Sequence, residues 1–141
     1  MKENKVTYFP TLAATESTRQ YRGWRKGTDP QPAAVTRKKA SFLKAYKAGV
    51  KIGMGGDIGV FAHGENVLEM ELMQEYGMPA LDVLRAATAV NADALHLEGI
   101  TGRLQKGLQA DILVVTGDPS KQVGNCRNVR LVMKAGRVVR E

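Results

Sequence analysis

With 141 residues, 43% of them hydrophobic and 25% charged, the chain has the composition of a soluble globular domain with a sizeable core. A single cysteine, Cys126, excludes an internal disulfide, and no Cys/His spacing matches a zinc-finger site. The net charge of +7 raises the question of polyanions, but the basic residues fall in three scattered groups, around Arg19–Lys26, Arg37–Lys51 and Arg127–Arg140, with no readable nucleic-acid motif. Tyr21 and Trp24 interleave with the first group as a weak stacking platform, so a basic polyanion binder stays open beside the blander reading of solvated faces.

The opening residues Met1-Lys2-Glu3-Asn4-Lys5 lead into a short apolar run broken by Pro10, which predicts neither a signal peptide nor a membrane span, and a cytoplasmic location is expected. Val6-Thr7-Tyr8-Phe9 is β-branched and aromatic and reads as a short buried strand. Residues 15–32 are polar, with Gly and Pro, and read as a long loop or frayed helix of the kind that serves as a lid. From 33 to 48 the apolar positions Val35, Phe42, Leu43 and Tyr46 suit a helix packed by one face, and Gly49 stops it. A second strand is expected over 50–54.

Gly53-Met54-Gly55-Gly56-Asp57-Ile58-Gly59 follows that strand as a Gly-rich bend carrying a carboxylate. Glycines on both sides of Asp57 allow a sharp turn and leave room beside it. Gly and Asp are also ordinary turn residues, so a structural role stays open. Helices are expected over 66–76 and from Pro79 to about Leu95, Pro79 standing at a favoured first-turn position. Strand, helix, strand, helix in this order points to parallel βα units. After Leu95, glycines punctuate the β-rich runs 112–115, 129–133 and 137–139, with Lys134-Ala135-Gly136-Arg137 a tight hairpin; these read as a small antiparallel sheet.

The order of motifs resembles the C-terminal part of an amidohydrolase-superfamily enzyme, in the branch of prolidase-like dipeptidases and imidazolonepropionases. Val6 to Leu12, through Pro10-Thr11-Leu12, resembles the seventh barrel strand and its exit. Gly53 to Gly59 resembles the Gly-Thr-Asp-Ala-Gly motif that ends the eighth strand. His63-Gly64-Glu65-Asn66 with Glu69 to Met73, Gly77 to Thr88, and Gly102 to Pro119 resemble the loop, helix and return to the small sheet that follow. Gly56 stands where the family often has Thr, and Met78 where a Thr would cap the next helix.

The resemblance implies an α/β fold: the last two βα units of a (β/α)8 TIM-type barrel over 1–98, then the returning strands of a small β-sandwich over 99–141. It implies a metal-dependent hydrolase of C–N bonds in a dipeptide, a cyclic amide or a related small molecule, using a divalent metal, zinc. Asp57 is the implied metal ligand and proton acceptor, and His63 the implied substrate-binding residue, a partly exposed loop histidine being the alternative. Of the family's His-X-His pair, carboxylated lysine, two further histidines and final aspartate, the resemblance gives only the aspartate a counterpart; His63 and His96 are the sole histidines and form no His-X-His. The chain is therefore expected to be inactive alone, as a truncated product or half of a split enzyme that takes an N-terminal half or another copy as partner. A non-catalytic interaction module is the competing reading. Nucleic-acid and membrane partners are not expected. Glu65 and Asn66 are expected to cap the next helix, His96 to meet terminal helix carbonyls, and Asp111 to fix the turn into the 112 strand. Tyr8 is expected in the core and Trp24 in an exposed loop.

Overall fold

A computed structural model describes residues 1, 4 and 6–141. Lys2, Glu3 and Lys5 of the opening polar stretch lie outside the described residues. The two strands expected over 6–9 and 50–54 contract to a single parallel bridge between Tyr8 and Ile52. The Tyr8 amide donates to the Lys51 carbonyl at 2.8 Å, and the Gly53 amide donates to the Tyr8 carbonyl at 3.0 Å. Pro10 has no N–H with which to extend the ladder. Parallel pairing places the C-terminal ends of both segments, at Thr11 and Asp57, on the same side.

The polar stretch expected over 15–32 as a loop or frayed helix divides: it is helical as far as Tyr21, and residues 22–32 form turns and irregular structure. Helix α1 spans Leu12–Tyr21. Its start is held from outside: the buried Glu69 carboxylate accepts the backbone amides of Leu12 at 3.0 Å and Ala13 at 2.7 Å. This satisfies two amides that a helix leaves unpaired at its N-terminus. The segment after α1 is also pinned. Lys26 donates to Glu16 and Glu75, and the buried Glu16 carboxylate also accepts the Tyr76 hydroxyl. Trp24, expected exposed, packs half-buried against the core, as does Tyr8.

Helix α2, Ala33–Lys47, buries Val35 and Phe42. Helix α3, Val67–Glu75, buries Met70, Leu72 and Met73. Met78 is buried too, so the side chain that cannot cap the next helix fills the core instead. The helix expected from Pro79 forms with a change of gauge: α4 (Ala80–Arg85), a π-helical turn (Ala86–Val90) and α5 (Asn91–Ala94) run on without a break. It ends in a Schellman motif, the Leu97 amide donating to Ala92 and the His96 amide to Asp93, with His96 left-handed at φ 58°. His96 thus meets the terminal carbonyls through its backbone.

Strands β1 (Ile112–Val115), β2 (Val129–Lys134) and β3 (Arg137–Arg140) form an antiparallel sheet in that order. Ala135 at φ 50° and Gly136 at φ 78° make the two-residue turn of the β2–β3 hairpin, the handedness that matches strand twist. Asp111 anchors that turn, accepting the Ala135 amide at 2.9 Å and the Lys134 ammonium at 2.7 Å. Those bonds hold its carboxyl well below the usual range. A 3-10 helix, Val123–Arg127, ties the sheet to the helices by placing Val123 and Cys126 in the same core as Leu72, Met73 and Val83. Burial pushes the Cys126 thiol up. Among the described residues no helix is long and apolar enough to cross a membrane.

Candidate functional site

The Gly-rich segment leaves the Tyr8–Ile52 bridge through a narrow passage, and the missing side chains explain how. A Cβ on Gly53 would lie 2.4 Å from the Phe9 ring and 2.8 Å from Asn91 Oδ1. One on Gly55 would touch Phe9 at 3.3 Å, and one on Gly56 would meet Phe61 at 3.0 Å and Glu69 Cβ at 3.5 Å. The space beside Gly56 is thus partly filled by the Phe61 ring. Between these walls Met54 is gripped from the side: its amide donates to Asn91 Oδ1 at 3.0 Å, and Asn91 Nδ2 donates to its carbonyl at 2.8 Å.

Asp57 emerges from this passage in the left-handed conformation, φ 58°, with its side chain exposed. Asp is among the few non-glycine residues that tolerate this region. Among the described residues no hydrogen bond or ion pair engages its carboxylate. Thr11, at the end of the adjacent strand, is left-handed as well, φ 47°. In α/β barrels chemistry gathers at the C-terminal ends of neighbouring parallel strands.

His63 follows in an exposed turn completed by Gly64 at φ 94°. No contact joins its imidazole to Asp57 among the described residues. Glu65 and Asn66 do not cap α3 as expected: Asn66 makes no side-chain cap bond. Glu65 instead accepts Arg127 Nη1 at 2.6 Å, while the same guanidinium forks onto Glu71 at 2.7 and 2.8 Å. The two carboxylates hold the guanidinium protonated well above its ordinary value. Arg127, on the 3-10 helix, therefore clamps the far end of the His63 loop.

Glu69 lies beneath the passage. It is fully buried, and desolvation pushes its carboxyl up to about 7 against the pull of the Leu12 and Ala13 amides and of Lys38. It links the start of α1, after the first strand end, to the wall of Gly56, after the second. A separate depression, an apolar groove of about 850 Å³ between the π-turn, Leu104 and β1, contains only one carboxylate, that of Asp111, which is already engaged.

Sequence patterns missed two residues at this site. Asn91 sits in a run of small residues that reads as plain helix; its one signal is an amide among Ala and Val. Glu69 reads as a solvated helix residue and is fully buried.

The chain matches the amidohydrolase family over residues 2–139. It belongs to that family. It is 31% identical to the ochratoxinase of Aspergillus niger over 130 residues, 87% of this chain and 26% of that protein. Its fold superposes on a crystal structure of a Xaa-Pro dipeptidase with bound methionine with a TM-score of 0.86, at 34% identity over 100% of this chain and 36% of the other. It superposes on crystalline A. niger ochratoxinase with a TM-score of 0.81, at 26% identity over 99% of this chain and 33% of that one. The chain thus has the α/β fold of this amidohydrolase's relatives, with its small antiparallel sheet, and spans about a quarter to a third of their length.

Members of this superfamily generally use divalent metals. Among the described residues no three His, Cys, Asp or Glu side chains converge to hold one. A closed zinc site takes three or four protein ligands. The described residues of this amidohydrolase chain therefore do not make a metal site by themselves.

Proposed function

We propose that this chain is the closing portion of a metal-dependent amidohydrolase that hydrolyses a C–N bond in a dipeptide, cyclic amide or related small molecule. In this reading residues 1–98 supply the seventh and eighth βα units of the barrel, and 99–141 the returning strands of the small β-sandwich. The observation that carries it is the Asp57 carboxylate, unengaged and exposed in the Gly-rich segment that follows the parallel Tyr8–Ile52 bridge. The names of the relatives, Xaa-Pro dipeptidase and ochratoxinase, support a hydrolase.

A divalent metal, zinc in this reading, supplies Lewis acidity at the carbonyl when bound, with Asp57 as this chain's ligand. The remaining ligands come from outside these 141 residues. Asp57 takes a proton from the attacking water as its oxygen bonds to the carbonyl carbon. The proton then passes to the leaving nitrogen as the C–N bond breaks, giving a carboxylate and an amine and returning Asp57 to its ionised form. His63, exposed in the same loop, hydrogen-bonds a carboxylate or carbonyl of the substrate.

A second reading, pairing with another chain, is favoured by the exposed Leu95, Leu104 and Leu113 around the apolar groove. It fits either an N-terminal half or a second copy. Polyanion binding is disfavoured because Arg25, Lys26, Arg103, Arg127 and Lys134 are paired with carboxylates.

The test is to complete the chain with the N-terminal portion of a related dipeptidase, load it with zinc, and follow amine release from Xaa-Pro dipeptides and N-acyl amino acids. Turnover is expected. A folded, zinc-loaded complex that releases no amine from any of them overturns the reading.

A further inference from the structure

We infer that Asn91 is a positioning residue for Asp57: its carboxamide grips the Met54 peptide and fixes the turn that carries the carboxylate. The inference rests on the role proposed above for Asp57.

Its basis is geometric. Between Met54 and Asp57 lie only Gly55 and Gly56, which have no side chains with which to hold a conformation. Among the described residues Asn91 provides the one side-chain hydrogen bonding to the backbone of 53–57. It bonds at two points, 3.0 Å to the Met54 amide and 2.8 Å to its carbonyl. The carboxamide thus does for Met54 what a neighbouring strand does for a peptide in a sheet. Gly53 makes the approach possible, because a Cβ there would fall 2.8 Å from Asn91 Oδ1.

The helix is built to present this amide. Asn91 is the first residue after the π-turn Ala86–Val90. A wide turn takes in an extra residue, so side chains beyond it are rotated by about 100° from where an unbroken α-helix would put them. The turn is braced from behind by Gly102, where a Cβ would lie 2.5 Å from Ala92 Cβ and 3.1 Å from the Thr88 carbonyl. Such turns recur at functional sites. Here the turn aims a short, rigid amide at the backbone three residues before the reactive group, so a hydrogen bond, rather than the glycines, sets the direction of Asp57.

The first test uses the 141-residue chain. Amide hydrogen exchange at Met54 is expected to speed up about tenfold or more in N91A, the equivalent of one lost hydrogen bond. Gly53, which donates to Tyr8, should change far less. Unchanged Met54 exchange overturns the inference. If N91A does not fold, N91S, whose short side chain cannot span the Met54 peptide, is read in the same way with the same speeding of Met54 exchange expected. The second test uses the completed enzyme: N91A should lower kcat on the order of a hundredfold, the cost of misplacing a reacting group, with KM little changed. S120A, which removes the Ser120 hydroxyl bond to Asp118 in the segment after β1, should leave both constants unchanged. Wild-type kcat in N91A alongside an inactive D57N overturns the positioning and leaves the hydrolase reading standing. Full activity in D57N overturns the role proposed for Asp57 instead, and Met54 exchange then decides alone whether Asn91 holds the turn.

Discussion

Glu69 makes the stability of this chain depend on pH in a direction opposite to that of most carboxylates. Burial raises its pKa from an ordinary 4.5 to about 7. The native state therefore holds the proton more tightly than the unfolded state. Its contribution is fully present below pH 4.5 and is lost as pH rises through about 7. The shift is roughly 2.5 units, and at about 1.4 kcal/mol per unit it is worth about 3 kcal/mol. Other groups titrate over the same range, so the measurement is a difference. Urea unfolding of wild type and Glu69→Gln, a substitute shaped like the protonated acid, should be compared from below pH 4.5 to above pH 7. Wild-type stability should fall relative to the variant by about 3 kcal/mol across that window. A difference that stays flat, or grows in favour of wild type as pH rises, refutes the argument that desolvation outweighs the two amide bonds.

Three further outcomes follow from the packing around the loop. Gly53→Ala should destabilise by about 1–3 kcal/mol, because its Cβ would overlap the Phe9 ring and Asn91; denaturant midpoints check this. Arg127→Ala releases Glu65 and Glu71; the guanidinium is partly exposed, so after solvent screening the loss is only about 1 kcal/mol, while proteolysis in the 58–66 loop should quicken. Calorimetric titration of the chain alone with zinc should show weak binding, since Asp57 and His63 are at most two ligands; a tight one-to-one site abolished by Asp57→Ala would contradict this.

The sequence periodicity that marks α2, α3 and the hairpin is local, and those elements are found where the pattern puts them. Helix α1 was illegible because Thr15-Glu16-Ser17-Thr18-Arg19-Gln20 has no apolar stripe. Its stability comes from the burial of Leu12 and Ala13 and from a carboxylate 56–57 residues away. The two strands shrank to one bridge because β-branched composition records a preference for sheet, whereas a ladder needs neighbours and N–H donors. The bend at Asp57 is legible from the glycines around it, and the structure has Asp57 left-handed there, while the role given to its carboxylate comes from the resemblance. The π-turn is not legible, since Ala86-Ala87-Thr88-Ala89-Val90 reads as ordinary helix, and Asn91 carries no mark of its own. Glu65 carries a charge that reads equally as a helix cap or an ion-pair partner, and the partner, Arg127, lies 62 residues on.

The account is tested most directly by the kcat of Asp57→Asn in the enzyme completed with an N-terminal portion, measured on a dipeptide that the wild type hydrolyses. The change keeps the shape of the side chain and removes the proton acceptor. Turnover is predicted to fall on the order of a hundred- to ten-thousandfold, the usual worth of a positioned base. Wild-type turnover in a folded, metal-loaded Asp57→Asn enzyme would contradict the account and return Asp57 to the role of a turn residue.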